Sequence, residues 1–223
     1  MKLKQRLFTL CIVAIAGLLI SGGISLYAIK KIMVHEREDQ IIELVELARA
    51  ATEKAYALEQ SGKLSREAAQ AQAKLAISSF QKGDKYFFVR DNTNDVLLVH
   101  AKPERIGKAD KDGKASGDAY REALKSVPEG GITVIYKPGT RPGVEGKVGK
   151  AYAVTLFGPW QWLMGFGTYT DDIEEEFMQK LMTFLMIGGA AALTIGLIAW
   201  RLANSLLRQI GGEPDYAAAV DRK

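Results

Sequence analysis

GKAYAVTLFGPWQWLMGFGTYTDDIEEEF, residues 149–177, changes its hydrophobic period partway along. Gly149–Phe157 and Trp160–Tyr169 alternate from residue to residue and are rich in aromatic and β-branched side chains, which is the pattern of β-strands. Phe157-Gly158-Pro159 between them reads as a tight turn. Period two places Lys150 and Tyr152 on one face of the earlier strand. In the later strand it turns Trp160, Trp162, Met164 and Phe166 one way, and Gly165, Gly167 and Tyr169 the other. The acidic run Asp171, Asp172, Glu174, Glu175, Glu176 then opens a helix, where it reads as a solvated face rather than as paired acid/base carboxylates.

Three more strands are expected upstream: KYFFVR (85–90), DVLLVH (95–100) and GITVIYK (131–137). Asp91-Asn92-Thr93-Asn94 makes the turn between the first two. Tyr86 and Phe88 share a face with Arg90 beyond them, and Leu98 shares one with His100. DAYREALKSV (118–127) is expected to be a short helix, and KPGTRPGVEGK (137–147) a Gly/Pro-rich loop. Further upstream, Ser65 is a good N-cap for SREAAQAQAKLAISSF (65–80), with Leu75, Ile77 and Phe80 expected on the buried side. Residues 31–60 form a long helix whose stripe Ile41, Val45, Ala48, Thr52, Ala55 opposes Glu43, Glu46, Arg49 and Glu53. The expected class is α+β: a long N-terminal helix on a mostly antiparallel sheet of about five strands.

Two uncharged stretches bracket this domain: LFTLCIVAIAGLLISGGISLYAI (7–29) and LMTFLMIGGAAALTIGLIAW (181–200). Each matches the ~20 residues a helix needs to cross a ~30 Å hydrocarbon layer. A cleaved signal peptide is the alternative for the first, but its apolar core exceeds the usual ~7–15 residues and a polar helix follows at once. Lys2, Lys4 and Arg6 before the first span and Arg201 and Arg208 after the second place both ends in the cytoplasm; Lys30 and Lys31 pull the other way. The expected layout is a cytoplasmic N-terminus (1–6), a transmembrane helix (7–29), an outer domain (30–180), a second transmembrane helix (181–202) and a cytoplasmic segment (203–223).

Several function classes fall away. The net charge of +4 is spread out, and no basic run is interleaved with aromatics, so nucleic acid is not an expected partner. The only cysteine, Cys11, lies in the first apolar stretch, which excludes a disulfide within the outer domain and a Cys/His zinc site there. Gly165-Phe166-Gly167 lies late in a strand and opens no phosphate-binding helix turn. There is no nucleophile elbow, metal-ligand cluster or phosphate loop, so no enzyme, metal or cofactor is expected. His35, where the first helix leaves the membrane, reads as solvated.

The string KYFFVRDNTNDVLLVHAKPERIGK, the later GKAYAVTLFGPWQWLMGFGTYTDDIEEEF and their spacing resemble a single-Cache (PAS-like) sensor domain of the type-2 subfamily, over roughly residues 31–177. Those proteins carry a Lys-x-Tyr strand and a Trp-x-Trp…Gly-x-Gly-x-Tyr-x-Asp-Asp ending in this order. The chain departs from them at Phe80–Lys85, where they write an Arg-Tyr-Gly turn, and at His100-Ala101, where they write His-Pro. SLLRQIGGEPDYAAAVDRK, after the second span, is similar to the opening of a HAMP linker in methyl-accepting chemotaxis proteins. The whole resembles the sensor half of such a receptor, with chemotaxis signalling partners expected only of a longer chain that carries an output domain.

A pocket for a small anion needs a few donors converging in an apolar cup. The resemblance implies such a pocket between the sheet and the membrane-distal loops, lined by Tyr86, Phe88, His100, Lys150, Tyr152, Trp162 and Tyr169. Lys150 would supply the cation for a carboxylate, and the three tyrosines and His100 would donate hydrogen bonds. Plainer roles compete: core packing for Phe88 and Trp162, solvent exposure for Lys150, a structural hydrogen bond for His100. The expected function is reception of a small organic anion, a two- or three-carbon monocarboxylate, in the periplasm by an inner-membrane protein that signals through its second span. The resemblance also implies a homodimer paired through residues 31–60, whose stripe of mostly small residues suits close helix pairing. The alternative is a membrane-tethered protein that uses the same fold to hold a partner or to assemble.

Overall fold

The computed structural model describes residues 3–209 except 84, 110, 142 and 143. The GGEPDYA string read as a linker opening lies outside the described residues. The chain divides into two compact units, Met33–Glu174 and the pair Met1–Ile32 with Glu175–Lys223.

Helix α1 runs unbroken over Leu3–Gln60 and so belongs to both units. It stops where Gly62 adopts φ +71 and the Lys63 amide donates back to the Leu58 carbonyl, a left-handed cap that suits glycine. Ser65 then caps α2 (Arg66–Ser78) by accepting from the Ala68 amide at 3.2 Å. The buried stripe of α2 is Ala69, Ala73 and Ile77; Leu75 and Phe80, expected inside, are exposed. Four-residue spacing selects that stripe, and Leu75 falls outside it on the far side of the helix.

Five strands follow: β1 (Phe87–Asp91), β2 (Leu97–Val99), β3 (Ile132–Gly139), β4 (Val148–Phe157) and β5 (Trp162–Tyr169). They form one antiparallel sheet in the order β2-β1-β5-β4-β3. β5 lies at its centre with every residue buried. One face packs Phe87, Val89, Met164 and Phe166 against Ile41, Val45, Ala48 and Ala55 of α1. The α1 stripe read as a dimer seam is therefore consumed inside the domain, and Leu47, on the other side of the helix, is exposed.

Two local expectations are corrected. Trp160 belongs to a 3-10 turn, Gly158–Trp160, rather than to a strand, because Gln161 takes a left-handed conformation (φ 53) before β5 begins. The helix expected over 118–127 is α3, Lys111–Leu124, starting seven residues earlier. Gly113 and Gly117 look like breakers in sequence. Both are used in tertiary contact: the Gly113 carbonyl accepts from Arg90, and a Cβ at Gly117 would strike Asp95.

α4 (Asp171–Gln209) leaves β5 after a single residue. α1 and α4 are both long and apolar enough to cross a membrane. In the unit they share, Leu10, Ile20, Ile24, Met186, Ile187 and Leu193 are exposed, while the Phe184 ring is seated directly on Gly22.

Candidate functional site

On the sheet face turned away from α1, register assembles a second cluster. β1 and β4 flank β5, so Phe88 lies opposite Gly165, Val154 opposite Gly165 from the other side, Tyr152 opposite Gly167 and Lys150 opposite Tyr169. The glycines are spaces for their neighbours. A Cβ at Gly167 would fall 2.7 Å from Lys150 Cε and from the Tyr152 ring, and one at Gly165 would meet the Phe88 ring and, at 2.8 Å, the Ala153 carbonyl. α3 closes this side by stacking Tyr120 on Phe88, ring centroids 5.3 Å apart and 23° from parallel.

A cavity of ≈ 80 Å³ remains between sheet and α3. Its walls are Tyr86, Phe88 and Arg90, then Leu97, His100 and Arg105 from β2 and the loop after it, Ser116 and Tyr120 of α3, and Tyr152. Leu97 rather than Leu98 accompanies His100. The β1–β2 register slips between Val89 and Arg90, and this bulge re-aims the strand so that Leu98 joins the α1 side.

Among the described residues that line the cavity, Arg90 and Arg105 are the charged ones and none is acidic. Arg90 is only 4% exposed; it donates to the Gly113 carbonyl and lies 3.5 Å from Asp95, yet its Nε has no partner among the described residues. Burial lowers its pKa. Asp95 is held chiefly elsewhere, by the two-pronged grip of Arg121 at 2.9 and 3.0 Å. Lys150, buried at 2% exposure, has its ammonium above the rings of Tyr169, Tyr86 and Tyr152 at 4.4, 4.8 and 5.3 Å. Burial raises the pKa values of Tyr120 and Tyr152, keeping their hydroxyls protonated as donors.

His100 supplies the sharpest constraint. Burial first, and Arg105 next, push its pKa down to about 4, so the imidazole is neutral at pH 7. Its Nδ1 accepts from the Lys102 amide at 3.0 Å, which assigns the single ring proton to Nε2. That Nε2 lies 3.4 Å from Nη1 of Arg105. Two donors thus face each other at the cavity wall.

Of the seven residues expected from sequence, six share this face: Tyr86, Phe88, His100, Lys150, Tyr152 and Tyr169. Trp162 does not. It packs on the α1 side with its ring 4.7 Å from Trp160, because odd and even residues of β5 face opposite ways. Arg90 was legible only as lying beyond Phe88, and Arg105, Ser116 and Tyr120 went unread. They come from a loop and a helix, where no period-two signal marks a cavity face.

Residues 33–182 match the family model described as Single Cache domain 2. Over 216 residues, 94% of the chain, the sequence is 27% identical to the methyl-accepting chemotaxis protein McpP of Pseudomonas putida (strain KT2440). The chain spans 39% of that protein's length. Among solved structures it is similar to a Cache chemosensory domain studied for the structural basis of carboxylic acid recognition (27% identity, TM-score 0.52), covering 62% of this chain and 97% of that one. It is also similar to the periplasmic sensor domain of a chemotaxis protein (26% identity, TM-score 0.53), covering 61% and 97%. A methyl-accepting chemotaxis protein from Vibrio parahaemolyticus, 20% identical with TM-score 0.50 over 67% and 99%, shares the fold.

Proposed function

The chain belongs to the single Cache domain 2 family, and from that premise we propose that its sensor domain binds a two- or three-carbon monocarboxylate outside the cytoplasm and reports occupancy across the inner membrane through α4. The carrying observation is the pair of opposed donors, His100 Nε2–H and the Arg105 guanidinium, at the wall of a cavity with no acidic side chain among the described residues that line it. A carboxylate oxygen beside both would accept from the two donors. The Nε of Arg90, without a partner among the described residues, and the Tyr152 hydroxyl at the cavity wall would serve the second oxygen. The inner cavity is small, ≈ 80 Å³, which favours a short acid over a long one.

The route out of the site is short. Tyr169 ends β5, caps the Lys150 cage and donates to the Thr140 carbonyl at 2.7 Å. The Arg141 guanidinium lies over the Tyr169 ring and binds Asp171, the first residue of α4, at 2.7 Å. Asp172 is held by Arg37 of α1 at 2.9 Å. A ligand that favours one arrangement of these contacts by ~1–3 kcal/mol biases the position of α4, and shifts of ~1–2 Å in such helices are within the repertoire of switches. Residues 7–29 and 181–202 would span the bilayer, with the sensor domain periplasmic. The receptor would work as a homodimer, and chemotaxis signalling proteins would engage an output domain of a longer chain.

Isothermal titration of the full chain in lipid nanodiscs with acetate, propionate, pyruvate and lactate tests the reading. Saturable binding of at least one acid, weakened tenfold or more by Arg105→Ala and by His100→Ala, is expected. Absence of binding across these acids would transfer the weight to a partner-holding role.

A further inference from the structure

The small cavity has a larger neighbour. A second cavity of ≈ 360 Å³ is walled by Gln81, Gly83, Tyr86, Ala101, Lys102, Thr140 and Tyr169. Tyr86 is the residue common to both walls. Its ring stands edge-on to His100 with centroids 5.1 Å apart, and the Lys150 ammonium lies 4.8 Å from its centre. Tyr86 thus lies between the donor His100 and the cation Lys150, and lines both the narrow cavity and one of several times its volume. It is half-buried and precedes β1, one residue outside the β1–β5 pairing that starts at Phe87 and Phe166.

We propose that the Tyr86 ring is the specificity-determining partition of this site, limiting the acid to about three carbons by separating the inner cavity from the outer one. The proposal rests on the carboxylate reading above. With its carboxylate at His100 and Arg105, an acid extends its alkyl chain until it meets a wall. Where that wall is Tyr86, each further methylene has no space in the inner cavity, while the outer cavity beyond holds ample room. Hydrophobic pockets discriminate about 10- to 200-fold per methylene that fits or fails to fit, so a partition of this kind gives a steep cut-off in chain length. The determinant is the ring's bulk, not its hydroxyl.

The test is a titration series of acetate, propionate, butyrate, valerate and hexanoate against the full chain in nanodiscs, for wild type, Tyr86→Ala and Tyr86→Phe. The readout is the ratio of valerate to propionate affinity, in which any uniform loss from removing one ring of the Lys150 cage cancels. Wild type and Tyr86→Phe should favour propionate by tenfold or more, and Tyr86→Ala should raise the ratio at least tenfold. Tyr86→Ser provides an independent truncation should Tyr86→Ala fold poorly. A truncated variant that binds propionate with the wild-type length profile overturns the partition and leaves the carboxylate reading intact. A wild-type chain that binds none of the five acids overturns both.

Discussion

Gly167 has no side chain because Lys150 and Tyr152 occupy the space one would need. Gly167→Ala should therefore displace Tyr152 from the cavity wall and Lys150 from its ring cage: carboxylate affinity falls at least tenfold by titration, while the melting temperature drops by only a few degrees, since long side chains can yield. An unchanged affinity would show that Lys150 and Tyr152 do not shape the site. His100 supplies a second prediction. Its folded pKa of about 4 lies below the ordinary 6.5, so the unfolded chain binds more protons between those values. Its contribution to stability is complete above pH 6.5 and is lost as pH falls toward 4. Unfolding curves in ligand-free buffer should show this decline, and His100→Gln should flatten it; an identical slope in the variant would exclude His100 as its source. At this scale the sequence was readable wherever alternation ran undisturbed, as for Tyr86 with Phe88 and Lys150 with Tyr152. Trp162 failed for another reason: alternation sets it on the face opposite Tyr169, and only one of those two faces borders the cavity.

Elements were legible in kind and less so at their ends. The helix-cap chemistry of Ser65 is local, and it was readable from sequence. The start of α3 was not, because what holds its first turns lies far away in sequence: Arg90 on the Gly113 carbonyl, and Asp95 against Gly117. The β2 bulge is equally non-local, since a register slip exists only between two strands. The Asp95–Arg121 fork ties α3 to the β1–β2 hairpin over the cavity. Asp95→Asn keeps the shape, and tolerates the left-handed φ of 61, while removing the charge. It should lower stability by about 1–3 kcal/mol in denaturant titration. A loss below a few tenths of a kcal/mol would mean the fork does not fasten α3.

For the whole molecule, the two uncharged stretches and the alternating strands between them carried the architecture from sequence to structure, with α1 continuous from apolar stretch to sensor core. The small-residue stripe of α1 did not carry over as a pairing surface, because it is spent against the sheet. Topology has its own check: protease added to sealed cells should cut within residues 30–180 and spare residues 203–223, and the reverse pattern would invert the receptor. The central claim is narrower and chemical, that a carboxylate bridges two opposed donors. A crystal structure of the chain determined with propionate tests it most directly. One carboxylate oxygen should lie about 3 Å from both His100 Nε2 and the Arg105 guanidinium, with the alkyl end against Tyr86. Propionate bound elsewhere, or an Arg105 turned away from His100 with the acid present, would contradict the account.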